Sequence, residues 1–128
     1  GSKGIVRLIS TQLTELAGFQ LEPRMLLTIK RMLLDNDDRV LLQSLDEIYR
    51  FDYRPYVKRL AQPALVIGAG LDVVVPIHHQ QFMAQQLPQC AFKVMPEAGH
   101  GIIHTHPDWY ARQTLELMNR HPLEVPLG

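Results

Sequence analysis

The sequence predicts an α/β fold in which a helical region, residues 1–62, precedes a strand–helix–strand–helix region, residues 63–128. Residues 4–60 repeat apolar side chains at three- and four-residue spacing, which is typical of amphipathic helices. Residues 64–67 are too few and too continuously apolar for such a helix and fit a buried strand, and residues 91–95 fit a second one. Since a strand–helix–strand unit of this length is nearly always a parallel crossover, we expect the two strands to be parallel.

The helical region predicts three helices and one short helical turn. The first helix ends at Gly18, and Pro23 suits the first turn of the second. The stretch 35–38 ends the second helix and provides capping residues for the third. Arg54-Pro55 then begins a single helical turn. The apolar positions are Ile5, Leu8, Ile9, Leu13 and Leu16 in the first helix, Met25, Leu26, Ile29, Met32 and Leu33 in the second, and Val40, Leu41, Leu45 and Ile48 on the inner face of the third.

Prolines mark the helices of the second region. Pro76 opens a helix that Pro88 ends, and Pro107 begins the last helix, which ends at His121 and Pro122. We expect the last helix to turn four side chains inward, Trp109, Tyr110, Leu115 and Met118. Two parallel strands do not make a stable sheet, because each keeps an unpaired edge and parallel sheets need cover on both faces. Further strands therefore belong beside them, from an upstream segment or from a second copy of the chain.

Composition narrows the class of protein. With 128 residues, 46% of them apolar and 20% charged, the chain has the balance of one globular domain. Thirteen basic residues offset thirteen acidic ones, so we expect neither a nucleic-acid nor a membrane partner. The single cysteine, Cys90, excludes an internal disulfide and fits a reducing compartment. No signal peptide is visible, so we expect a cytoplasmic protein, and Gly1-Ser2 resembles a cloning remnant rather than the natural start.

Two candidate catalytic side chains follow the predicted strands. Asp72 comes after a glycine-rich turn at the end of the first strand, and His100 comes after the turn that ends the second. The carboxyl ends of parallel strands meet at one edge of the sheet, where α/β folds place their chemistry. As an alternative, Asp72 could cap the helix opened by Pro76 or brace the glycine-rich turn, and His100 could be a structural turn residue.

These residues resemble the carboxyl-terminal part of an α/β-hydrolase. The resemblance rests on residues 66–72, Val-Ile-Gly-Ala-Gly-Leu-Asp, with Pro76 four places on, on residues 97–100, Glu-Ala-Gly-His, and on a last helix led by His-Pro. It implies a helical lid region followed by strand, helix, strand and helix with parallel strands. Residues 4–60 match the lid by position and helicity.

The resemblance also implies roles and a substrate class. His100 would be the general base, and Asp72 would hold its imidazole in the correct tautomer. The substrate would be a small or medium acyl ester or amide with an apolar moiety, and the chemistry needs no cofactor. If the helices form the lid, Met25, Leu26 and Ile29 are candidates for lining an acyl pocket, with ordinary packing as the alternative.

The family's nucleophile is missing from this sequence. It should precede Asp72 in a Gly-x-Ser-x-Gly elbow, and no such motif occurs. Ser10 and Ser44 lie in helical patterns without flanking glycines. Cys90 precedes the second strand whereas His100 follows it, and a five-residue strand spans roughly 16 Å, so the two belong at opposite ends of the sheet. We therefore expect the nucleophile in a missing upstream segment and little activity from this chain alone.

Two other interpretations remain open at the level of sequence. His100, His104 and His106 with Asp108 have the spacing of a possible metal site, but Asp108 and His106 are also explained by the start of the last helix. The chain could also be a non-catalytic module that keeps hydrolase architecture for binding or interaction, or a fragment whose copies pair through their strand edges. We expect no metal.

Overall fold

The structure is a computed structural model that describes residues 22–122. It divides into two compact units, and the boundary lies between Asp52 and Tyr53. The domain boundary that we predict after residue 62 stays a prediction, and the predicted helix before Gly18 lies outside the described residues. No helix within residues 22–122 is both long and apolar enough to cross a membrane.

The described part of the first unit contains two helices, α1 (Pro23–Leu34) and α2 (Asp38–Arg50). Both predicted helices are confirmed, with Pro23 in the first turn of α1. The break between them ends at Asp37, whose side chain accepts a hydrogen bond from the backbone N–H of Arg39 at 2.8 Å. Asp37 is therefore the N-cap of α2, as the acidic stretch predicts.

The apolar face of α2 is exposed in the described structure. Val40, Leu45 and Ile48 are 54%, 46% and 69% exposed, and α2 contains no buried residue among those described. The prediction that these side chains face inward is therefore wrong for this structure. A period of 3.6 residues identifies an apolar face, but it does not identify the surface that covers it.

The second unit contains the sheet. Its elements are α3 (Arg54–Val57), β1 (Ala64–Ala69), α4 (Ile77–Gln86), β2 (Cys90–Met95), α5 (Ile102–Thr105) and α6 (Pro107–Arg120). β1 and β2 are parallel, with Ala64 opposite Cys90 and Ala69 opposite Met95, which confirms the predicted parallel pair. The sequence did not predict the short helix α5. Because the strands are in register, both end at the same edge of the sheet.

Backbone hydrogen bonding shows which edge of β1 is paired. Ala64 N–H donates to the carbonyl of Gln89, and Gly70 N–H donates to that of Met95. Backbone N–H groups alternate between the two edges of a strand, so the even-numbered residues of β1 point toward β2. The odd-numbered ones, including Ala69, point to the opposite edge. Within residues 22–122, no second strand pairs with that edge.

The core lies beneath the carboxyl ends of the strands. Ala69, Ala98 and Ile102 are buried together, and Trp109 and Tyr110 of α6 pack against them with Ile67 and Met95. The inward orientation predicted for Trp109 and Tyr110 is confirmed, whereas Leu115 and Met118 are each 56% exposed and that part of the prediction is wrong. Two strands make a sheet only about 10 Å wide, which is about the diameter of one helix, so the sheet leaves the sides of α6 uncovered.

The turns after the two strands touch at Gly70. A Cβ atom at this position would overlap the carbonyl oxygen of Pro96 and lie 2.8 Å from its Cα atom. Backbone atoms cannot yield as the end of a flexible side chain can. The close approach therefore requires glycine at residue 70 for reasons of space.

We predict that Gly70→Ala lowers the free energy of unfolding by about 1–3 kcal/mol, because the methyl group forces the two turns apart. Urea denaturation of the two proteins measures the difference. Gln85→Ala, on an exposed position of α4, is the control and should change stability by less than about 0.5 kcal/mol. Equal stability of Gly70→Ala and the unmodified chain would contradict the close packing of the turns.

Candidate active site

Asp72 is held in the turn that follows β1. Its backbone N–H donates to the carbonyl of Ala69 at 3.2 Å, and its side chain is only 6% exposed. The Oδ1 atom accepts hydrogen bonds from the backbone N–H groups of Val74 and Val75, each at 2.9 Å. This local side-chain-to-backbone pairing is what aspartate provides in turns, and it fixes one carboxylate oxygen of Asp72.

His100 is brought to Asp72 by the pairing of two turns. The backbone N–H of Gly70 donates to Met95 at 3.0 Å, and that of Leu71 donates to Ala98 at 2.9 Å. These bonds continue the alignment of β1 and β2 beyond the ends of the strands. The turn that carries His100 therefore lies directly against the turn that carries Asp72.

The two side chains form a hydrogen-bonded pair. His100 Nδ1 lies 3.1 Å from Asp72 Oδ2, and the His100 side chain is 49% exposed. A carboxylate oxygen only accepts, so this contact assigns the proton to Nδ1 and leaves Nε2 as the proton acceptor of the neutral ring. A histidine oriented in this way by a carboxylate can act as a general base at Nε2.

Gln80 of α4 is a third polar residue at this site, and the sequence did not single it out. It is 8% exposed, its Nε2 lies 3.3 Å from Asp72 Oδ2, and its Oε1 accepts from the backbone N–H of Ala69 at 3.0 Å. One signal in the sequence could have found it. Ile77 and Ala84 of α4 and the C-cap residue Leu87 recur at helical spacing, and Gln80 is the polar residue that shares this spacing.

A cavity of about 630 Å³ opens beside Asp72 and His100. Its lining consists of Pro63, Ala64, Leu65, Val66 and Ile67, then Val75, Gln80 and Met83, and finally Ile102, Ile103, Tyr110, Thr114 and Leu117. Since five consecutive residues from Pro63 to Ile67 line it, the cavity follows the edge of β1 rather than one face. It is the edge that β2 does not occupy.

The other candidates from the sequence lie elsewhere. Met25 and Ile29 are half-buried on α1 in the first unit, and the side chain of Leu26 is outside the described residues. Their role in substrate binding stays a prediction. Ser44 lies on α2, where its hydroxyl donates to the carbonyl of Val40 at 2.8 Å. Cys90 begins β2, at the opposite end of that strand from His100, as predicted.

The candidate metal site does not assemble in the described structure. Within residues 22–122, no group of three or more His, Cys, Asp or Glu side chains is placed to hold a metal ion. His106 instead contacts Thr105, with Nδ1 and Oγ1 2.9 Å apart, and the same residue precedes α6. The close spacing of His100, His104 and His106 therefore follows from the turn and the helix start.

Comparisons with known proteins agree with this geometry. The sequence model described as "alpha/beta hydrolase fold" matches residues 6–107. Homoserine O-acetyltransferase of Salinibacter ruber is 36% identical over 52 residues, which are 41% of this chain and 14% of that protein. The proposed carbamate hydrolase RutD of Pseudomonas savastanoi pv. phaseolicola is 28% identical over 79 residues, which are 62% of this chain and 30% of that protein.

A solved structure has the same fold. The enol-lactonase from Burkholderia xenovorans LB400 superposes with a TM-score of 0.77 at 17% sequence identity, over 89% of this chain and 45% of the lactonase chain. The present chain thus spans less than half the length of each of these three proteins. At this level of identity, the likeness to the lactonase shows the fold alone.

We predict that neutral His100 carries its proton on Nδ1 and that Asp72→Asn moves it to Nε2, because the amide nitrogen of asparagine can face Nδ1 as a donor. Two-bond ¹H–¹⁵N correlation spectra at alkaline pH distinguish the two tautomers. His79, exposed on α4, is the internal control and should give the same spectrum in both proteins. An unmodified chain with His100 protonated mainly on Nε2 would show that the Asp72 contact does not form.

Proposed function

The chain belongs to the family of the alpha/beta hydrolase fold, and on that basis we propose that it is the carboxyl-terminal portion of a serine hydrolase that cleaves a small or medium acyl ester or amide. Asp72 is the triad acid and His100 the triad histidine of this proposal. The nucleophilic serine comes from an upstream segment. The single observation that carries the proposal is the 3.1 Å contact between His100 Nδ1 and the buried Asp72 carboxylate.

The pair has a defined part in acyl transfer. As the serine oxygen attacks the acyl carbon, His100 Nε2 takes the hydroxyl proton and then gives it to the departing alcohol or amine. Water then enters, and His100 takes one of its protons while the hydroxide attacks the acyl carbon. The bond from that carbon to the serine oxygen breaks, His100 returns the proton to this oxygen, and the acid leaves. Asp72 keeps the ring in the tautomer that this requires and stabilises the imidazolium formed at each step.

Two observations support an upstream partner segment. The chain aligns with 45% of the enol-lactonase chain while using 89% of its own length. In addition, the outer edge of β1 is unpaired among the described residues, although parallel strands normally lie inside a sheet. We propose that the upstream part of the same protein completes the sheet there. A second copy of this chain is the alternative occupant.

The side chains around the pair favour a neutral, apolar substrate. Val73, Val74 and Val75 follow Asp72 and are 70%, 46% and 40% exposed, and Ile103 near His100 is 50% exposed. Of the described residues that line the adjoining cavity, those nearest to the pair in the chain are Val75, Ile102 and Ile103, and all three are apolar. Such a surface suits an apolar acyl moiety and offers no clamp for a carboxylate or phosphate. The proposal keeps Met25, Leu26 and Ile29 as candidates for lining an acyl pocket.

We predict that His100→Ala reduces kcat of the longer natural protein by about 10⁴- to 10⁶-fold on a short-chain p-nitrophenyl ester, because no other group takes the serine proton. His79→Ala, an exposed histidine on α4, is the matched control and should retain full activity. Circular dichroism establishes that both variants are folded. A folded His100→Ala protein with near-normal turnover would refute the assignment of His100.

Labelling with a fluorophosphonate tests the origin of the nucleophile. Intact mass should show no adduct on this chain and one serine adduct on a chain extended upstream to its natural start. The adduct on the longer chain should be lost in His100→Ala. An adduct on neither chain would favour a non-catalytic module that keeps the hydrolase architecture for binding.

A further inference from the structure

We propose that Gln80 is a positioning residue for the Asp72–His100 pair. Its amide would hold the carboxylate oxygen that receives the His100 Nδ1–H group, and this inference rests on the proposed function. Gln80 does not reach the reacting atoms in the proposed chemistry. Its contribution would be to the orientation of His100, transmitted through Asp72.

The hydrogen bonds of Gln80 fix the orientation of its amide. Nε2 donates to the carbonyl of Val75 at 2.8 Å and to Asp72 Oδ2 at 3.3 Å, while Oε1 accepts from Ala69 N–H at 3.0 Å. Rotating the amide by half a turn would place Oε1 against two acceptors and the NH₂ group against a donor. The buried surroundings make such mismatches costly, so a single orientation is favoured.

Gln80 connects the carboxylate to the buried end of β1. Ala69 is the last residue of β1, it is 2% exposed, and its N–H points to the edge that β2 does not occupy. By accepting this hydrogen bond, Gln80 satisfies a buried strand donor and at the same time places its Nε2 beside Asp72. The carboxylate is thereby aligned with the end of the strand.

The two carboxylate oxygens of Asp72 have different hydrogen-bond partners. Oδ1 is held by the backbone of its own turn at Val74 and Val75, whereas Oδ2 is the oxygen shared by Gln80 and His100. With Oδ1 fixed, the carboxylate can still tilt and move Oδ2. Gln80 limits that tilt, and the direction of the Oδ2 lone pairs decides where the half-exposed His100 ring points.

The decisive variant is Gln80→Glu in the longer natural protein. Glutamate keeps the size of the side chain and the acceptor for Ala69, but it replaces the donor that faces Asp72 Oδ2 and Val75 with an acceptor. We expect kcat for a short-chain p-nitrophenyl ester to fall roughly 10- to 100-fold with KM within about threefold, as for a misplaced catalytic group. Gln81→Glu makes the same chemical change at the neighbouring exposed position and should leave both constants unchanged.

Two further measurements separate positioning from folding. Gln80→Met removes the donor without adding charge, and it should give the same loss of kcat if Gln80→Glu does not fold. In the unmodified chain, the side-chain amide protons of Gln80 should exchange with water at least tenfold more slowly than those of Gln81, and the His100 Nδ1–H signal should shift in Gln80→Glu. Equal exchange at the two glutamines would overturn the inference even if neither variant folds.

The outcomes distinguish this inference from the proposed function. An unmodified longer protein that neither reacts with a fluorophosphonate nor hydrolyses the ester would defeat the proposed function. A shift of the His100 signal in Gln80→Glu would still support positioning of the pair. An active protein whose folded Gln80→Glu variant keeps its kcat and its His100 signal would refute the role of Gln80 and leave the triad assignment intact.

Discussion

A carboxylate that is removed from water must be given hydrogen-bond donors, and the turn after β1 is arranged around that requirement. Asp72 is 6% exposed at its side chain, yet its two oxygens contact four nitrogen atoms, from Val74, Val75, Gln80 and His100. Two of these come from the turn itself, one from α4 and one from the turn after β2. The buried carboxylate therefore connects three separate segments of the unit.

Those segments can meet because the strands end together and small residues follow them. Ala69 and Met95 are opposite each other, so the two turns begin at the same level. Gly70 lets the backbone of one turn approach Pro96 in the other, and Ala98 is buried at 1% exposure beneath them. A larger residue at either position would separate the turns and lengthen the contact between Asp72 and His100. The geometry of the pair thus depends on packing below it as much as on its own hydrogen bond.

Local signals in the sequence were sufficient for the described elements other than α5 and for the approach of Asp72 to His100, but they did not identify Gln80. Pro76 and Pro107 mark helix starts because proline needs no hydrogen bond there, and Asp72 and His100 follow from the rule that parallel strands end at one edge. Gln80 was missed because only its helical spacing from Ile77 and Ala84 indicates that it is buried, and it belongs to no catalytic motif. The exposed Ile48 shows the converse, since an apolar face does not reveal what covers it.

The cavity beside the pair lies along an edge of β1 that carries backbone N–H groups. It follows the edge from Pro63 to Ile67, and the N–H groups of Leu65 and Ile67 point to that edge. On the proposed completion of the sheet, a further strand would pair with these groups and fill most of the cavity. Only the end at Asp72 and His100, beyond the end of β1, would remain for substrate. On this proposal, most of the 630 Å³ is the space that the added strand would take, and the acyl site would be the small part above the strand ends.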